Sequence, residues 1–304
     1  MHSSTLRIDS HQHFWRYEAA DFPWIGAGMQ ALERDWLPED LLPLLQASRI
    51  QQCVAVQARM KPEETDFLLA LAAQHPWITA VIGWVELRSG QVEPQLARWE
   101  GCQALKGMRH LLQDEANIPE ILASSAFQRN VAVLQSRGLV YEVLINSTQF
   151  EGVAGFCAQL DDHSLVLDHL GKPAIRERSA SAVTRWREAL KPIAAMPHVM
   201  CKLSGLVTEA QWQGGVLDGY SKQDFYPYLD TALALFGPHR LMFGSDWPVC
   251  LLAQKHAGVC ELINDWAQGL SPDEQAALWG GNAQRCYAID SQADACKLTN
   301  HTTY

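Results

Sequence analysis

An alternation of short apolar segments and longer amphipathic segments constrains the fold of this chain more than any other feature. Eight segments rich in Val, Ile and Leu read as buried strands, and each is followed by a stretch with helical periodicity. Eight strands with helices between them predict an α/β fold, a single (β/α)8 TIM barrel. The strand segments are LRIDSHQHF, QQCVAVQA, WITAVIGWVEL, ALKGMRHLL, LVYEVLI, SLVLDHL, VMCKLSG and RLMFGSDW.

The strand and helix segments together predict one barrel domain over residues 1–289. A last helix over 271–289 carries Ser271 as an expected N-cap, and the polar stretch 290–304 is expected to be a C-terminal tail. A doubly wound sheet is the alternative, but no G-x-G-x-x-G follows the first strand. The predicted helices cover residues 38–48, 62–76, 118–138, 149–160, 182–196, 225–237, 257–269 and 271–289.

Charge and cysteine usage restrict the partners and the compartment. The net charge of -10 argues against nucleic acid or an anionic membrane, because both attract basic surfaces. None of the eight cysteines forms a C-x-x-C pair, and several lie in apolar runs, so buried free thiols in a reducing compartment are expected. With no signal-peptide pattern at the N-terminus, a cytoplasmic location is predicted. The oligomeric state, a homo-oligomer included, stays open.

Polar residues gather where the predicted strands end. In a (β/α)8 barrel the active site lies at the carboxyl ends of the strands. His11 and His13 end the first strand at i and i+2, so both side chains share one face. The other candidates at strand ends are Gln57, Arg109, His110, Glu142, Asp168, His169, Lys172, Lys202 and Asp246.

Each candidate also has a structural interpretation. A single histidine such as His110 is more often structural than functional, whereas the His11–His13 pair favours function. Glu142 could simply pair with an arginine, and Asp246 could cap a turn. Trp15 and Trp247 follow the catalytic candidates directly, so their indoles could stack on a sugar face or only pack in the core.

The motifs together resemble one family. H-x-H on strand one, His169 on strand six and Asp246 on strand eight resemble the amidohydrolase superfamily. DSHQHFW, IGWVEL, KGMRH, LDHLGKP, CKLSGL and LMFGSDWPVC are similar to the sugar lactonases of that superfamily, the L-fuconolactonase-like group, from about Arg7 to Ile289. The resemblance implies a barrel hydrolase whose catalytic residues are His11, His13, His169 and Asp246.

The resemblance also implies a metal count. Binuclear members carry a carboxylated lysine on strand four or five, and LVYEVLI has none. We therefore expect at most one divalent ion, zinc by preference, or none. Its ligands would come from His11, His13, His169 and Asp246, with Glu142 as a further candidate.

The expected reaction is hydrolysis of a sugar lactone such as L-fucono-1,5-lactone by a carboxylic ester hydrolase. The histidines, with or without zinc, would polarise the carbonyl, and Asp246 would take a proton from water and return it to the ring oxygen. The alternatives are a metal-dependent decarboxylase of the same superfamily and an inactive binding barrel. The residues expected to bind the substrate are Arg109, His110, Lys172, Lys202, Trp15, Trp247 and Gln57.

Overall fold

A computed structural model describes residues 6–88, 90 and 92–289, so the predicted tail at 290–304 lies outside the described residues. Eight parallel strands lie side by side in the order in which they occur along the chain. The barrel strands are β1 (Ile8–Gln12), β2 (Gln52–Val56), β3 (Ile78–Gly83), β4 (Leu105–His110), β5 (Val140–Val143), β6 (Leu165–Leu167), β7 (Val199–Leu203) and β10 (Leu241–Phe243). Strands β8 (Trp212–Gln213) and β9 (Val216–Leu217) lie outside the barrel, in the connection between β7 and β10.

Backbone hydrogen bonds bring the last strand next to the first. The amide of Asp246 donates to the carbonyl of His11 at 2.8 Å, and the amide of His13 donates to the carbonyl of Trp247 at 2.8 Å. Ser10 adds a side-chain bond, since its hydroxyl donates to the carbonyl of Phe243 at 2.6 Å. The eight strands therefore form a nearly closed barrel, and the predicted (β/α)8 fold is confirmed.

Helices surround the strands, and their amphipathic faces pack on the outside of the barrel. No helix in the described ranges has the length and apolarity of a membrane-crossing segment. The helices are α1 (Pro38–Ala47), α2 (Pro62–Gln74), α3 (Val92–Ala97), α4 (Ile118–Ala123), α5 (Ser125–Ser136), α6 (Val153–Ala158), α7 (Ala180–Ala194), α8 (Tyr226–Phe236), α9 (His256–Trp266), α10 (Pro272–Ala276) and α11 (Asn282–Cys286).

Several boundaries differ from the sequence-based expectation. The segment 118–138 is two helices, because Ser124 is extended (φ -65°, ψ 122°) and caps α5 through Phe127 N. The final segment is interrupted by a π turn over Ala277–Gly281, although Ser271 caps α10 as expected. Helix α3 was not predicted, since six residues hold too little periodicity to detect. A small hairpin, β8 (Trp212–Gln213) with β9 (Val216–Leu217), also extends the β7–α8 connection.

The inside of the barrel is apolar at its amino-terminal end. Ile8, Val54, Val140 and Met242 belong to an interior cluster, and Tyr287 from the end of α11 packs into it. The register of β1 against β2 shifts between Asp9 and Gln12, which marks a bulge. Because side chains alternate along a strand, this shift lets both Ile8 and the odd-numbered His11 and His13 face the interior.

Candidate active site

Four of the predicted residues meet at the carboxyl-terminal mouth of the barrel. The ring centroid of His11 lies 4.9 Å from that of His13 and 4.4 Å from that of His169. The Asp246 carboxylate lies 3.4 Å from His13 Nε2 and 3.8 Å from His11 Nε2. His13, His169 and Asp246 line a cavity of about 480 Å³, with His11 immediately beneath them.

Two glycines make room for these side chains. His169 and Asp246 adopt left-handed backbone conformations, with φ of 53° and 58°, which turn the chain sharply after their strands. A Cβ atom on Gly205 would lie 2.6 Å from His169 Nδ1, and one on Gly244 would lie 2.7 Å from the His11 Cβ. Glycine is therefore required in the SGL and FGS motifs because the histidines occupy the space beside it.

The site keeps two histidines, His11 and His169, neutral and the Asp246 carboxylate ionised. Burial lowers the pKa of His169 to about 4 and lowers that of His11 well below its usual value, with Lys202 adding to the effect on His11. Burial alone would raise the pKa of Asp246, but His169, His13 and Lys172 outweigh it and hold that pKa below its usual value. At neutral pH, Asp246 therefore carries a negative charge beside the neutral imidazoles of His11 and His169.

A buried ionic cluster supports the site from below. Both oxygens of Glu142 accept from the Lys202 ammonium, at 2.6 and 2.7 Å, and the Tyr287 hydroxyl donates to Glu142 at 2.6 Å. Lys202 also lies 3.3 Å from Asp168 Oδ1 and 3.1 Å from His11 Nδ1. Burial and the nearby Asp168 raise the pKa of Glu142 to about 7.

This cluster corrects two predictions. Lys202 and Glu142 are fully buried and paired with each other, and neither lines the cavity. Lys202 therefore cannot contact the substrate from this position, and the carboxylate oxygens of Glu142 are already engaged, so Glu142 does not serve as a metal ligand. Among the described residues, Glu142 belongs to neither of the two groups that could hold an ion.

Arg109 lies between this cluster and the cavity. Its guanidinium donates to Asp168 Oδ2 at 2.9 Å, contacts His11 Nε2 at 3.3 Å and also bonds the Gln57 carbonyl. The Gln57 amide donates in turn to the Arg109 carbonyl at 3.1 Å. Arg109 lines the cavity and Gln57 does not, so Gln57 positions Arg109 instead of contacting a substrate as predicted.

The two tryptophans predicted to bind the substrate lie outside the cavity. Trp15 donates from its indole to the Arg34 carbonyl at 2.9 Å, and Trp247 is fully buried against Phe14 and Trp36. Neither indole lines the cavity. Trp15 forms an isolated backbone bridge with Trp36, and Trp247 forms one with Gln12, so both side chains pack in the apolar core beside the β1–α1 loop.

His110 alternates with Arg109 along β4 and so faces outward. It contacts the Glu115 carboxylate at 2.7 Å and packs edge-on against Phe127, with ring centroids 5.8 Å apart. It lies outside the cavity, so the prediction that it binds substrate is wrong for this structure.

Other residues, which no sequence motif indicated, form the cavity wall. Trp24 and Met29 come from the long β1–α1 loop, and Glu209 and Trp212 come from the β7–α8 connection. Loops have no periodicity that would orient a side chain, so only their position after a strand end could have pointed to them. A larger cavity, about 810 Å³, lies between α1, α9 and α10 and holds none of the catalytic candidates.

The donor atoms at the mouth fit one divalent ion. His13 Nδ1 lies 2.8 Å from the Val56 carbonyl, which only accepts, so Nδ1 carries the proton and Nε2 presents a lone pair. That lone pair faces a carboxylate oxygen of Asp246 across 3.4 Å, an arrangement of two acceptors that a cation between them would stabilise. His11, His13 and Asp246 form one group with suitable spacing, two nitrogens and an oxygen of the kind that zinc prefers.

A parallel barrel with an H-x-H pair, a third histidine and an aspartate at its mouth defines a class of hydrolytic barrel enzymes. The family model described as amidohydrolase matches residues 8–289. The chain belongs to this amidohydrolase family, and within it the chain resembles the fuconolactonases.

Two curated relatives are L-fucono-1,5-lactonases. The protein from Burkholderia multivorans (strain ATCC 17616 / 249) is 53% identical over 95% of this chain and 98% of its own length. The protein from Burkholderia ambifaria is 34% identical over 94% of this chain and 97% of its own length. A crystal structure of a B. multivorans amidohydrolase with bound zinc superposes with a TM-score of 0.90 at 53% identity, covering 94% of this chain and 100% of that one.

Decarboxylases share only the fold. A 2,6-dihydroxybenzoate decarboxylase from Rhizobium covers 94% of this chain and 100% of its own, with a TM-score of 0.61 and 13% identity. Likeness at that identity concerns the barrel and not the chemistry.

Proposed function

We propose that this protein hydrolyses a sugar lactone to the aldonic acid, with L-fucono-1,5-lactone as the first candidate substrate. One observation carries the proposal: an ionised Asp246 stands beside the neutral His169 at the wall of a cavity large enough for a monosaccharide ring. The similarity to two L-fucono-1,5-lactonases over nearly the whole chain supports this substrate.

The charge of the cavity favours a neutral substrate over an aromatic acid. Three cations, Arg109, Lys172 and Arg176, line it together with three carboxylates. The formal charges of these six side chains cancel. A substrate carboxylate would meet as much repulsion as attraction here, which argues against the decarboxylase alternative. The carboxylates are Asp114, Glu209 and Asp246.

Asp246 acts as the base in the proposed reaction. A water molecule between the carboxylate and the lactone carbonyl gives a proton to Asp246 as its oxygen attacks the carbonyl carbon. The tetrahedral intermediate then collapses, the bond from the carbonyl carbon to the ring oxygen breaks, and Asp246 returns the proton to that oxygen. Proton transfer of this kind is typically worth ~10²–10⁴-fold in rate.

Positive charge near the carbonyl stabilises the oxygen anion that develops on it. Arg109 brings a guanidinium to the floor of the cavity, where burial strengthens its field. The Gln57 and Asp168 contacts fix its position before the substrate arrives. The role of Asp246 as a base also argues against an inactive binding barrel, because a protein that only binds a ligand has no need of a base.

A divalent ion, zinc by preference, would be held by His11, His13 and Asp246, with His169 facing the same space. When bound it would polarise the carbonyl and lower the pKa of a coordinated water molecule. We propose one ion at most, because strand β5 supplies Glu142 in a closed ion pair and no lysine.

A reducing compartment, the cytoplasm, suits the chain, since all seven cysteines in the described ranges are free thiols.

A screen of aldonolactones with a pH indicator tests the proposed function. Hydrolysis releases an acid, so a fall in pH identifies the substrate without a coupling enzyme. We expect turnover of L-fucono-1,5-lactone or a close stereoisomer well above the spontaneous rate. If no sugar lactone is hydrolysed while an aromatic acid loses carbon dioxide, the decarboxylase alternative replaces the proposal.

A further inference from the structure

Two opposite charges face the catalytic cavity without a protein partner. Lys172 follows β6, and Glu209 ends a short turn, Val207–Glu209, that follows β7. Within the part of the chain that the structure describes, neither side chain makes an ion pair or a hydrogen bond. Both side chains line the same cavity, and Lys172 lowers the pKa of Glu209 against the larger effect of burial, which raises it.

One ligand group in the cavity can satisfy both side chains. A partly buried carboxylate without a hydrogen bond costs free energy, so the space beside Glu209 is suited to a donor. A hydroxyl group donates to a carboxylate and accepts from an ammonium, and therefore fits between them. A ligand carboxylate could pair with Lys172 or Arg176, but it has no hydrogen to donate to Glu209 and would be repelled by Glu209 and Asp246.

Part of the cavity lining is apolar. Trp24, Met29 and Trp212 lie in one apolar cluster with Leu252, on elements that are distant in sequence. The indole N–H of Trp24 donates to the Ala58 carbonyl and that of Trp212 donates to the Thr208 carbonyl, both at 3.1 Å. With their polar atoms engaged, these rings offer only carbon surface to a ligand, which suits the C–H face or a methyl group of a deoxysugar.

We propose that Glu209 is a specificity-determining residue that binds, together with Lys172, one hydroxyl group of the lactone ring. The Trp24–Trp212 wall then holds the apolar side of the same ring. This inference rests on the proposed function and adds to it the feature that distinguishes a polyhydroxylated lactone from a plain one.

The test compares two six-membered lactones, of which δ-valerolactone lacks the hydroxyl groups and the methyl group of L-fucono-1,5-lactone. The value of kcat/KM is measured for L-fucono-1,5-lactone and for δ-valerolactone, with Glu209→Gln, Lys172→Met and the double variant. A hydrogen bond to a charged group is worth about 10–100-fold in binding. We expect each single variant to lose about 10-fold or more on the sugar lactone and to change little on δ-valerolactone. The loss of kcat/KM in the double variant should be smaller than the product of the two single-variant losses, because one hydroxyl group binds both side chains.

A matched control and a second measurement complete the test. Glu177→Gln makes the same chemical change on an exposed residue that pairs with Arg185, outside the cavity, and should leave both activities unchanged. The inhibition constants of 1,5-anhydro-L-fucitol and of glutarate give a readout that does not depend on turnover. Glu209→Gln should weaken inhibition by the neutral polyol and strengthen inhibition by the dicarboxylate.

The outcomes separate the two proposals. If the wild type hydrolyses sugar lactones but Glu209→Gln lowers both lactone activities equally, or neither, and leaves both inhibition constants unchanged, Glu209 does not determine specificity. If the wild type hydrolyses no sugar lactone, the proposed function itself fails.

Discussion

Replacing Lys202 with methionine should destabilise the protein strongly, because it leaves the Glu142 carboxylate buried without its cation and leaves Asp168 with Arg109 alone. Lys202 bonds both oxygens of Glu142 and lies 3.3 Å from Asp168, with all three side chains fully buried. Removing one partner of a buried ion pair typically costs ~3–5 kcal/mol, since the remaining charge loses its compensation. Lys222→Met provides the matched control: its 2.6 Å ion pair with Asp265 is as short but exposed, and such pairs are worth ~0.2–1 kcal/mol.

The loss should also depend on pH, with a sign that can be worked out. Lys202 lowers the pKa of Glu142, which burial already raises to about 7, so the variant raises it further. A carboxyl group whose pKa is higher in the folded protein destabilises the fold progressively as pH rises from its unfolded value, about 4.3, through the folded value. Urea unfolding of Lys202→Met should therefore show a larger loss at pH 8 than at pH 5.5. Stability equal to that of Lys222→Met, or a loss that shrinks toward high pH, would refute the reasoning. Adding Glu142→Gln should restore part of the loss.

Three further predictions concern the site itself. Gly205→Ala should lower kcat/KM at least about 10-fold, because the new Cβ would lie 2.6 Å from His169 Nδ1 and displace the imidazole ring. Unchanged activity would show that the position of this ring does not affect the reaction. Because burial lowers the pKa of His169 to about 4, the acid limb of kcat/KM should fall near that value, and a limb near 6.5 would contradict a neutral buried imidazole. Elemental analysis should find at most one divalent ion per chain, reduced by His13→Asn; two tightly bound ions would contradict the single group at the mouth.

The barrel and the central residues were predictable because each depends on a short-range regularity. Strand and helix periodicities predicted eight parallel strands, and the barrel rule then placed His11, His13, His169 and Asp246 at one end. Their convergence within a few ångströms follows from topology alone.

The orientation of individual side chains was less predictable. Arg109 and His110 are neighbours on one strand, and only the barrel register decides that the first faces inward and the second outward. Similarly, Lys202 and Glu142 look like substrate ligands in the sequence, but their depth below the mouth allows them to pair with each other.

The cavity wall could not be predicted, because it is made by loops. Trp15 and Trp247 stand beside catalytic residues in sequence, yet Trp24 and Trp212 are the indoles that line the cavity. Trp15 and Trp247 come after the ends of β1 and β10, where strand alternation does not orient a side chain, and a residue in a long loop can return to the mouth from a distance.

The activity of Asp246→Asn on L-fucono-1,5-lactone tests the central claim most directly. The substitution keeps the size of the side chain and removes the base, so kcat should fall by ~10²–10⁴-fold. Inhibition by 1,5-anhydro-L-fucitol should change little, since the proton transfer takes place only in the reaction. A variant that hydrolyses the lactone nearly as fast as the wild type would contradict the assignment of Asp246 as the catalytic base.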